Sequence, residues 1–442
     1  MIFILKKVYY FEKGLNILKE KGIFAFICSN KFAKAKYGEK LRKLILENQL
    51  KIYDDFTGVK IFKEAQVDTC IIQLKKEHNE SNEIFVNHDY YLKQNRLENN
   101  SFLFNPPEIL DLKDKIINQG AMIKNLDITI KRGILTGFNK AFIIDEVTKN
   151  KLIEKDYKNK EVIKPLLRGR DIQKWSIKYQ NLYLLYIPWN FNIQKYPSLK
   201  DYLQNYKEDL SNRPEVKKER YNWYCLSRYA SDYVDLFEKE KLIYPELSSS
   251  LSMVYDNKKY YIDKTCFIIT TSLNIKYIYA LLNSNVLNFA FKLLGTPLGK
   301  SGFNLSKIYI EQLPIKITNA TIEDNVVDIV EKIIILNKEI DNEIINFKKF
   351  LKKQNFNTNL NKINEYYFLD SKKFIKEIKK QRDVLLTDKL INELNREFQN
   401  NINRISNLNS EIKLKENELN NIIYKIYNLN ENEIKLIEEN LY

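Results

Sequence analysis

Gly22-Ile23-Phe24-Ala25-Phe26-Ile27-Cys28-Ser29-Asn30-Lys31-Phe32 is the stretch on which the fold turns. Ile23 to Cys28 is an almost unbroken apolar run behind a glycine, the pattern of a strand buried on both faces of a sheet. Upstream, Tyr9 to Glu20 carries Tyr10, Leu15 and Leu18 as a short amphipathic helix that stops at Gly22. Downstream, Lys40 to Asn48 reads as a second helix, with Leu41, Leu44, Ile45 and Leu46. Lys51 to Phe56 reads as another strand, and Val67 to Leu74 as a third, centred on Cys70-Ile71-Ile72. Strands alternating with helices predict an α/β unit with a parallel, doubly wound sheet whose last strands pair differently. Three strands make only half of such a sheet, and they occupy residues 1–77.

Beyond this unit, residues 78–120 form a polar connector with a weak helix near Ile109 to Ile117. Residues 121–320 are short, mixed, aromatic segments with turns near Gly133, Gly137, Pro188, Pro245 and Gly295 to Gly302, which suits an α+β domain. The tail, 321–442, changes character. From Ile322 onward it has no Gly and no Pro. Apolar residues recur there at helical spacing (Val326, Ile329, Val330, Ile333, later Ile405, Ile412, Leu419, Ile423), predicting long helices in a coiled-coil hairpin or a small bundle.

Composition narrows the function. The chain has 442 residues, 44% of them hydrophobic, so a buried core is available and wholesale disorder is excluded. No stretch approaches 18 uninterrupted apolar residues and the N-terminus lacks a signal-peptide pattern, so no membrane partner is expected. Cys28, Cys70, Cys225 and Cys266 stand alone, which argues against a zinc site or a disulfide framework and for the cytoplasm. His78 and His88 lie in a polar stretch with no evident nucleophile or carboxylate beside them, so histidine chemistry and metal binding are not expected.

The formal charge of +15 is uneven. Residues 1–120 hold 20 basic and 16 acidic residues, 121–320 hold 32 and 20, and 321–442 hold 20 and 21. The excess therefore lies in the middle, together with 18 of the 29 Tyr and all three Trp, a mixture suited to phosphate pairing and base contact. Compositional drift toward Lys is the competing explanation, but it would raise Lys in the tail as well.

The ordered motifs carry a resemblance. The opening stretch is followed by Leu41-Arg42 and then by Phe62-Lys63-Glu64-Ala65-Gln66-Val67-Asp68-Thr69. This is similar to the distal half of the N6-adenine DNA methyltransferase domain of type IIG restriction–modification enzymes and their TaqI-like relatives. Lys131-Arg132-Gly133-Ile134-Leu135-Thr136-Gly137-Phe138-Asn139-Lys140-Ala141-Phe142 resembles the segment that opens the TaqI-like target-recognition domain. Ile163-Lys164-Pro165-Leu166-Leu167-Arg168-Gly169-Arg170-Asp171-Ile172 resembles its second hallmark. Gly299-Lys300-Ser301-Gly302-Phe303 and Ile310-Glu311-Gln312-Leu313-Pro314-Ile315 resemble its end, and the closing Ile423 to Asn430 is typical of how these polypeptides finish.

The resemblance implies a partial Rossmann-like methyltransferase sheet, then a DNA target-recognition domain, then the helical tail. It implies that Phe62 stacks on a flipped adenine; a plain core role is the other reading of that residue. Lys131, Arg132, Gly133, Thr136, Gly137, Asn139, Lys140, Arg168, Arg170 and Lys300 become the candidate DNA contacts. Lys and Arg can pair with phosphates, an Arg can read a guanine edge, and Gly133 and Gly137 allow positive-φ turns that bring backbone N–H groups close to phosphate.

Two short stretches are decoys. Asn105-Pro106-Pro107-Glu108 approaches the Asn-Pro-Pro-Tyr loop of adenine methyltransferases but has Glu108 where the aromatic belongs. Gly299-Lys300-Ser301-Gly302 lacks the first glycine of a phosphate-binding loop.

The family's S-adenosylmethionine loop, its ribose-binding acid and its Asn-Pro-Pro-Tyr loop would all precede residue 9. The expectation is a chain with no catalytic residue and no cofactor of its own. It would recognise double-stranded DNA beside an upstream polypeptide that supplies the missing half, with S-adenosylmethionine, and Mg2+ for cleavage, bound by the complete enzyme. A stand-alone specificity subunit and a coiled-coil structural protein are the alternatives.

Overall fold

The computed structural model of the chain describes residues 2–62, 67–78, 81–297, 302–358, 363, 365–381 and 387–441. Its first unit is a five-stranded sheet with two helices. Helix α1 (Ile2–Ile17) leads into strand β1 (Ile23–Ser29), helix α2 (Glu39–Leu46) into β2 (Gln49–Asp55), and β3 (Thr69–Lys75), β4 (Glu83–Val86) and β5 (Tyr90–Lys93) follow. The spatial order is β1-β3-β2-β4-β5.

Strand β3 lies between β1 and β2 and runs antiparallel to both; only β2 and β4 pair in parallel. The expected parallel sheet is thus corrected to a mixed one. The link from β2 to β3, residues 56–68, is barely as long as the dozen or so residues that a parallel crossover takes, and β3 returns antiparallel to β2. The sheet also continues past residue 77. Glu83-Ile84-Phe85-Val86 is too short and too polar in its surroundings to announce itself as a strand.

One face of this sheet is packed. Phe11 of α1 meets Phe24 and Phe26 edge-on, at 5.7 and 5.1 Å between ring centres, while Leu41 and Ile45 of α2 join the same core as Cys70, Ile72 and Leu74 of β3. The other face is open. Ile23 is 59% exposed and Ile27 40% exposed, and β1 has β3 as its one neighbour, so it forms a sheet edge. The expectation that β1 is buried on both faces is corrected, because both helices sit on the same side.

A third helix, α3 (Pro107–Asn118), starts with Pro at its first position and leads into the central region. That region holds two four-stranded sheets. The first runs Val254–Asp256, Lys241–Pro245, Cys266–Thr271, Ile128–Arg132 and is antiparallel throughout. In the second, Tyr261–Ile262 pairs in parallel with Ile163–Leu167, then come Tyr183–Leu185 and Ile143–Ile144. Lys241 and Asp256 face each other in register and form a fully buried ion pair at 2.6 Å.

Helices Ile275–Leu282 and Asn285–Leu294, capped by the side chains of Asn274 and Ser284, are buried nearly all round. The tail covers them. Val326, Ile329, Val330 and Ile333 of the long helix Ala320–Lys353, and Leu419, Ile423 and Tyr424 of the long helix Asp388–Ile426, enter the same core. The two long helices run antiparallel, since the end of the first meets the start of the second in a separate distal core of Phe347, Leu351, Phe374, Leu394 and Phe398. Among the described residues no helix is long and apolar enough to cross a membrane.

Candidate nucleic-acid interface

The turn Asp263-Lys264-Thr265 is where the separated motifs meet. From the first motif, Arg132 Nε donates to the Lys264 carbonyl at 2.8 Å, and Gly133 N donates to the Cys266 carbonyl. From the second, Gly169 N donates to Thr265 Oγ1 at 2.9 Å. From the third, Phe303–Asn304 pairs with Leu247–Ser248, and Leu305 N donates to the carbonyl of Glu246, whose own N–H bonds the Thr265 carbonyl. Asp263 holds the turn by accepting from the Thr265 N–H and hydroxyl, and burial raises its carboxyl above the ordinary range. Four stretches up to about 170 residues apart thus share one small hub that no periodicity in the sequence marks.

The candidate contacts separate into three groups. Arg170 and Lys140 are exposed and carry no ion-pair partner among the described residues; Lys264, which sequence reasoning missed, joins them. Asn139 is exposed as well, and Lys131 lies over the Tyr233 ring at 5.3 Å.

A second group is already engaged inside the protein. Arg132 makes a 2.5 Å ion pair with Glu246, and Arg168 lies 3.3 Å from Asp171 with 18% of its side chain exposed. Thr136 is buried, with its hydroxyl on Asn139 Oδ1 at 2.5 Å. It is corrected from a DNA contact to a brace of the loop.

The glycines make up the third group. Gly137 does adopt positive φ, +79°, and a Cβ there would lie 2.0 Å from Ser227 Oγ. Gly133 does not. Its need is space, since a Cβ would lie 2.0 Å from the Asp263 carbonyl oxygen, and its N–H is bonded to protein, not offered to phosphate. Lys300 lies outside the described residues.

Behind this surface, Arg213 is buried and donates to the carbonyls of Leu210, Thr136 and Trp223, locking the Gly137 loop to the aromatic stack of Trp189 on Tyr221, 5.0 Å apart. Its guanidinium could not have been told from a surface charge in sequence.

Phe62 stands elsewhere, in the link between β2 and β3, and is 44% exposed. At the start of that link, Asp55 Oδ1 accepts from Asn30 Nδ2 at 2.9 Å and from the N–H and hydroxyl of Thr57. His88, read as unpartnered, has its Nε2 3.2 Å from Asp54 Oδ2, a pair created by the β2–β4 neighbourhood. Asn105 to Glu108 form the entry to α3, as a turn should.

Comparison with known proteins follows the same order along the chain. Residues 6–62 match the Eco57I restriction-modification methylase, residues 164–315 the TaqI-like C-terminal specificity domain, and residues 319–423 a domain of unknown function, DUF8810. The chain is similar to the type II methyltransferase M.BstVI of Geobacillus stearothermophilus, 23% identical over 357 residues, covering 70% of this chain and 61% of that protein. It is also similar to the type II restriction enzyme and methyltransferase RM.Eco57I of Escherichia coli, 24% identical over 339 residues, covering 65% and 34%. It therefore spans less than two thirds of either relative. Among solved structures it is similar to the type IIL restriction-modification enzyme MmeI in complex with DNA, with a TM-score of 0.49 and 12% identity, covering 91% of this chain and 52% of that one. Along the chain, a segment similar to the Eco57I restriction-modification methylase thus precedes one similar to the TaqI-like C-terminal specificity domain.

Proposed function

We propose that this chain recognises a double-stranded DNA sequence as the C-terminal part of an adenine-specific (N6) DNA methyltransferase of a type IIG restriction–modification system. The observation that carries the reading is the hub at 263–265, which gathers three motifs and leaves Arg170 and Lys264 exposed within the basic central segment, residues 121–320. A DNA partner also agrees with the cytoplasmic location expected from the isolated cysteines. The test is anisotropy of a labelled duplex at about 50 and 200 mM salt. Binding should weaken steeply with salt, and Arg170→Ala or Lys264→Ala should lower affinity and reduce the salt slope by about one each. Binding no better than a neutral control protein at the lower salt sinks the proposal.

The open face of β1 supports the second half of the reading, an upstream polypeptide that completes the sheet. An unpaired edge beside exposed Ile23 and Ile27 is a surface that a neighbouring strand and helix would cover. Hydrophobic-dye binding should be stronger for the full chain than for a fragment starting near residue 120. A pull-down partner carrying only the missing half-sheet favours this reading over a stand-alone specificity subunit that docks a whole methylase.

In this proposal the residues around β1 and β2 do not hold S-adenosylmethionine. The polar groups at their carboxyl ends, Asn30, Asp55 and Thr57, satisfy one another. The methyl donor, and Mg2+ for cleavage, are assigned in this proposal to the upstream part. Phe62 is assigned to stacking on the flipped base. In the reconstituted enzyme, Phe62→Ala should lower the fluorescence gain of 2-aminopurine at the target adenine while leaving duplex affinity unchanged.

A further inference from the structure

The tail is neutral only on average. Residues 345–382 hold eleven Lys or Arg against three Asp or Glu, whereas the rest of 321–442 holds nine against eighteen. The fold turns this gradient along the chain into a gradient in space. The first long helix packs on the main core as far as Ile340 and enters the distal core from Ile344 to Leu351, one turn further along. The described basic residues of this stretch lie on the elements that form the distal core, and the acidic excess stays on the rest of the tail.

On the outside of the distal core, Lys349, Lys352 and Lys353 lie one turn apart on the first long helix. Lys372, Lys376 and Lys379 do the same on the short helix Ser371–Lys379. All six are exposed and have no ion-pair partner among the described residues, whereas Lys373 and Lys380 are neutralised by Asp370 and Glu377. Six unpaired ammonium groups on a compact, aromatic-filled tip repel one another, and an isolated structural hairpin gains nothing from keeping them together.

The tip also has a fixed place. Lys178, beside the hairpin that follows Arg168 and Arg170, lies over the Phe368 ring at 4.4 Å and the Tyr367 ring at 5.7 Å. Next to it, Lys174 and Trp175 Nε1 both reach Glu416 of the second long helix, at 2.8 and 2.5 Å. The basic tip is therefore docked against the segment that carries the second specificity motif.

We infer that the distal tip of the helical hairpin is a second, sequence-independent grip on the phosphate backbone of the same duplex, flanking the specificity module. This rests on the reading of the central module as DNA-binding. Docked beside the segment that carries Arg168 and Arg170, the tip would meet backbone phosphates adjoining the recognised bases, contacts that position the duplex without reading its sequence.

The test uses the full chain and a labelled duplex of about 40 base pairs. The tip variant combines Lys349→Gln, Lys353→Gln, Lys372→Gln and Lys376→Gln. The control combines Lys332→Gln, Lys338→Gln, Lys425→Gln and Lys435→Gln, the same charge change on the rest of the tail, with equal thermal stability required of both. The tip variant should bind at least tenfold more weakly at low salt, with a salt slope smaller by about two to four, and equally so for any sequence. The control should stay within twofold of the unaltered chain.

If tip and control variants coincide while Arg170→Ala and Lys264→Ala weaken binding, the second grip is wrong and the central reading stands. Loss in the tip variant alone keeps the grip and removes the central reading. An unaltered chain that ignores DNA ends both.

Discussion

Two strands of this protein are written in nearly the same alphabet and live in opposite surroundings. Ile23–Ser29 has one neighbour and an open face, with Ile27 substantially exposed, whereas all five residues of Lys241–Pro245, lysine included, are buried between two partner strands. An apolar run states that a strand is stable only when covered. It does not state what supplies the cover. In the central module the chain supplies it with Val254–Asp256, Cys266–Thr271 and the helices beneath, while in the first unit one face and one edge are left for something else.

The contrast breaks most sharply at Lys241. Asp256→Ala leaves a buried ammonium without its carboxylate and should cost about 3–5 kcal/mol, seen as a large fall in the unfolding midpoint. Replacing both residues by apolar ones of similar size should recover most of it. A small effect of the single change would mean that this strand is less dry than its neighbours imply.

The same substitution in the two strands gives the direct comparison. Ile243→Ala removes fully buried methyl groups and should cost about 2–4 kcal/mol, whereas Ile27→Ala should stay within about 0.5 kcal/mol while reducing hydrophobic-dye binding. Equal costs in denaturant melts would show that the face of β1 is covered in solution.

The junction between the two units offers the smallest and most pH-specific effect. Lys34 Nζ, from the first unit, donates to the carbonyls of Leu293 and Gly295 at 3.1 and 3.3 Å. Burial lowers its pKa to about 8, partly opposed by Asp55. The unfolded chain keeps that proton up to about 10.5, so between pH 8 and 10 the folded state binds fewer protons and stability rises with pH. Below pH 8 both states are protonated and the slope vanishes. Lys34→Met should flatten the rise, leaving the unaltered chain's gain in midpoint from pH 7.5 to 9.5 larger by about 2–4 °C. Parallel curves for the two proteins would show that Lys34 does not titrate there.

Much of the first unit was legible because hydrophobic spacing is local. The helix near Lys40 and the strands near Lys51 and Val67 appear within a few residues of where they were expected. The order of the strands was not legible, since nothing in Cys70-Ile71-Ile72 says that it will slide between β1 and β2. In the central module the motifs fall on loops that the fold brings together, but they did not show which side chains stay exposed. Thr136 and Arg168 look like surface groups in a list of residues, but the fold turns one inward and sets the other against Asp171. Lys264 and Arg213 went unremarked because each matters through partners more than 75 positions away. The basic tip was hidden by averaging over 122 residues.

Hydrophobic runs, helical periodicity and the absence of Gly and Pro after Ile322 already settled where elements form, because each depends on neighbours a few residues away. The ordered motifs likewise pointed to the families that the chain resembles. Which strand lies beside which, which cations are neutralised by Glu246 and Asp171 and which stay exposed were decided only by the tertiary structure. Those outcomes depend on distances between residues far apart in the chain, and a charge or an apolar face acquires its role from what the fold sets against it.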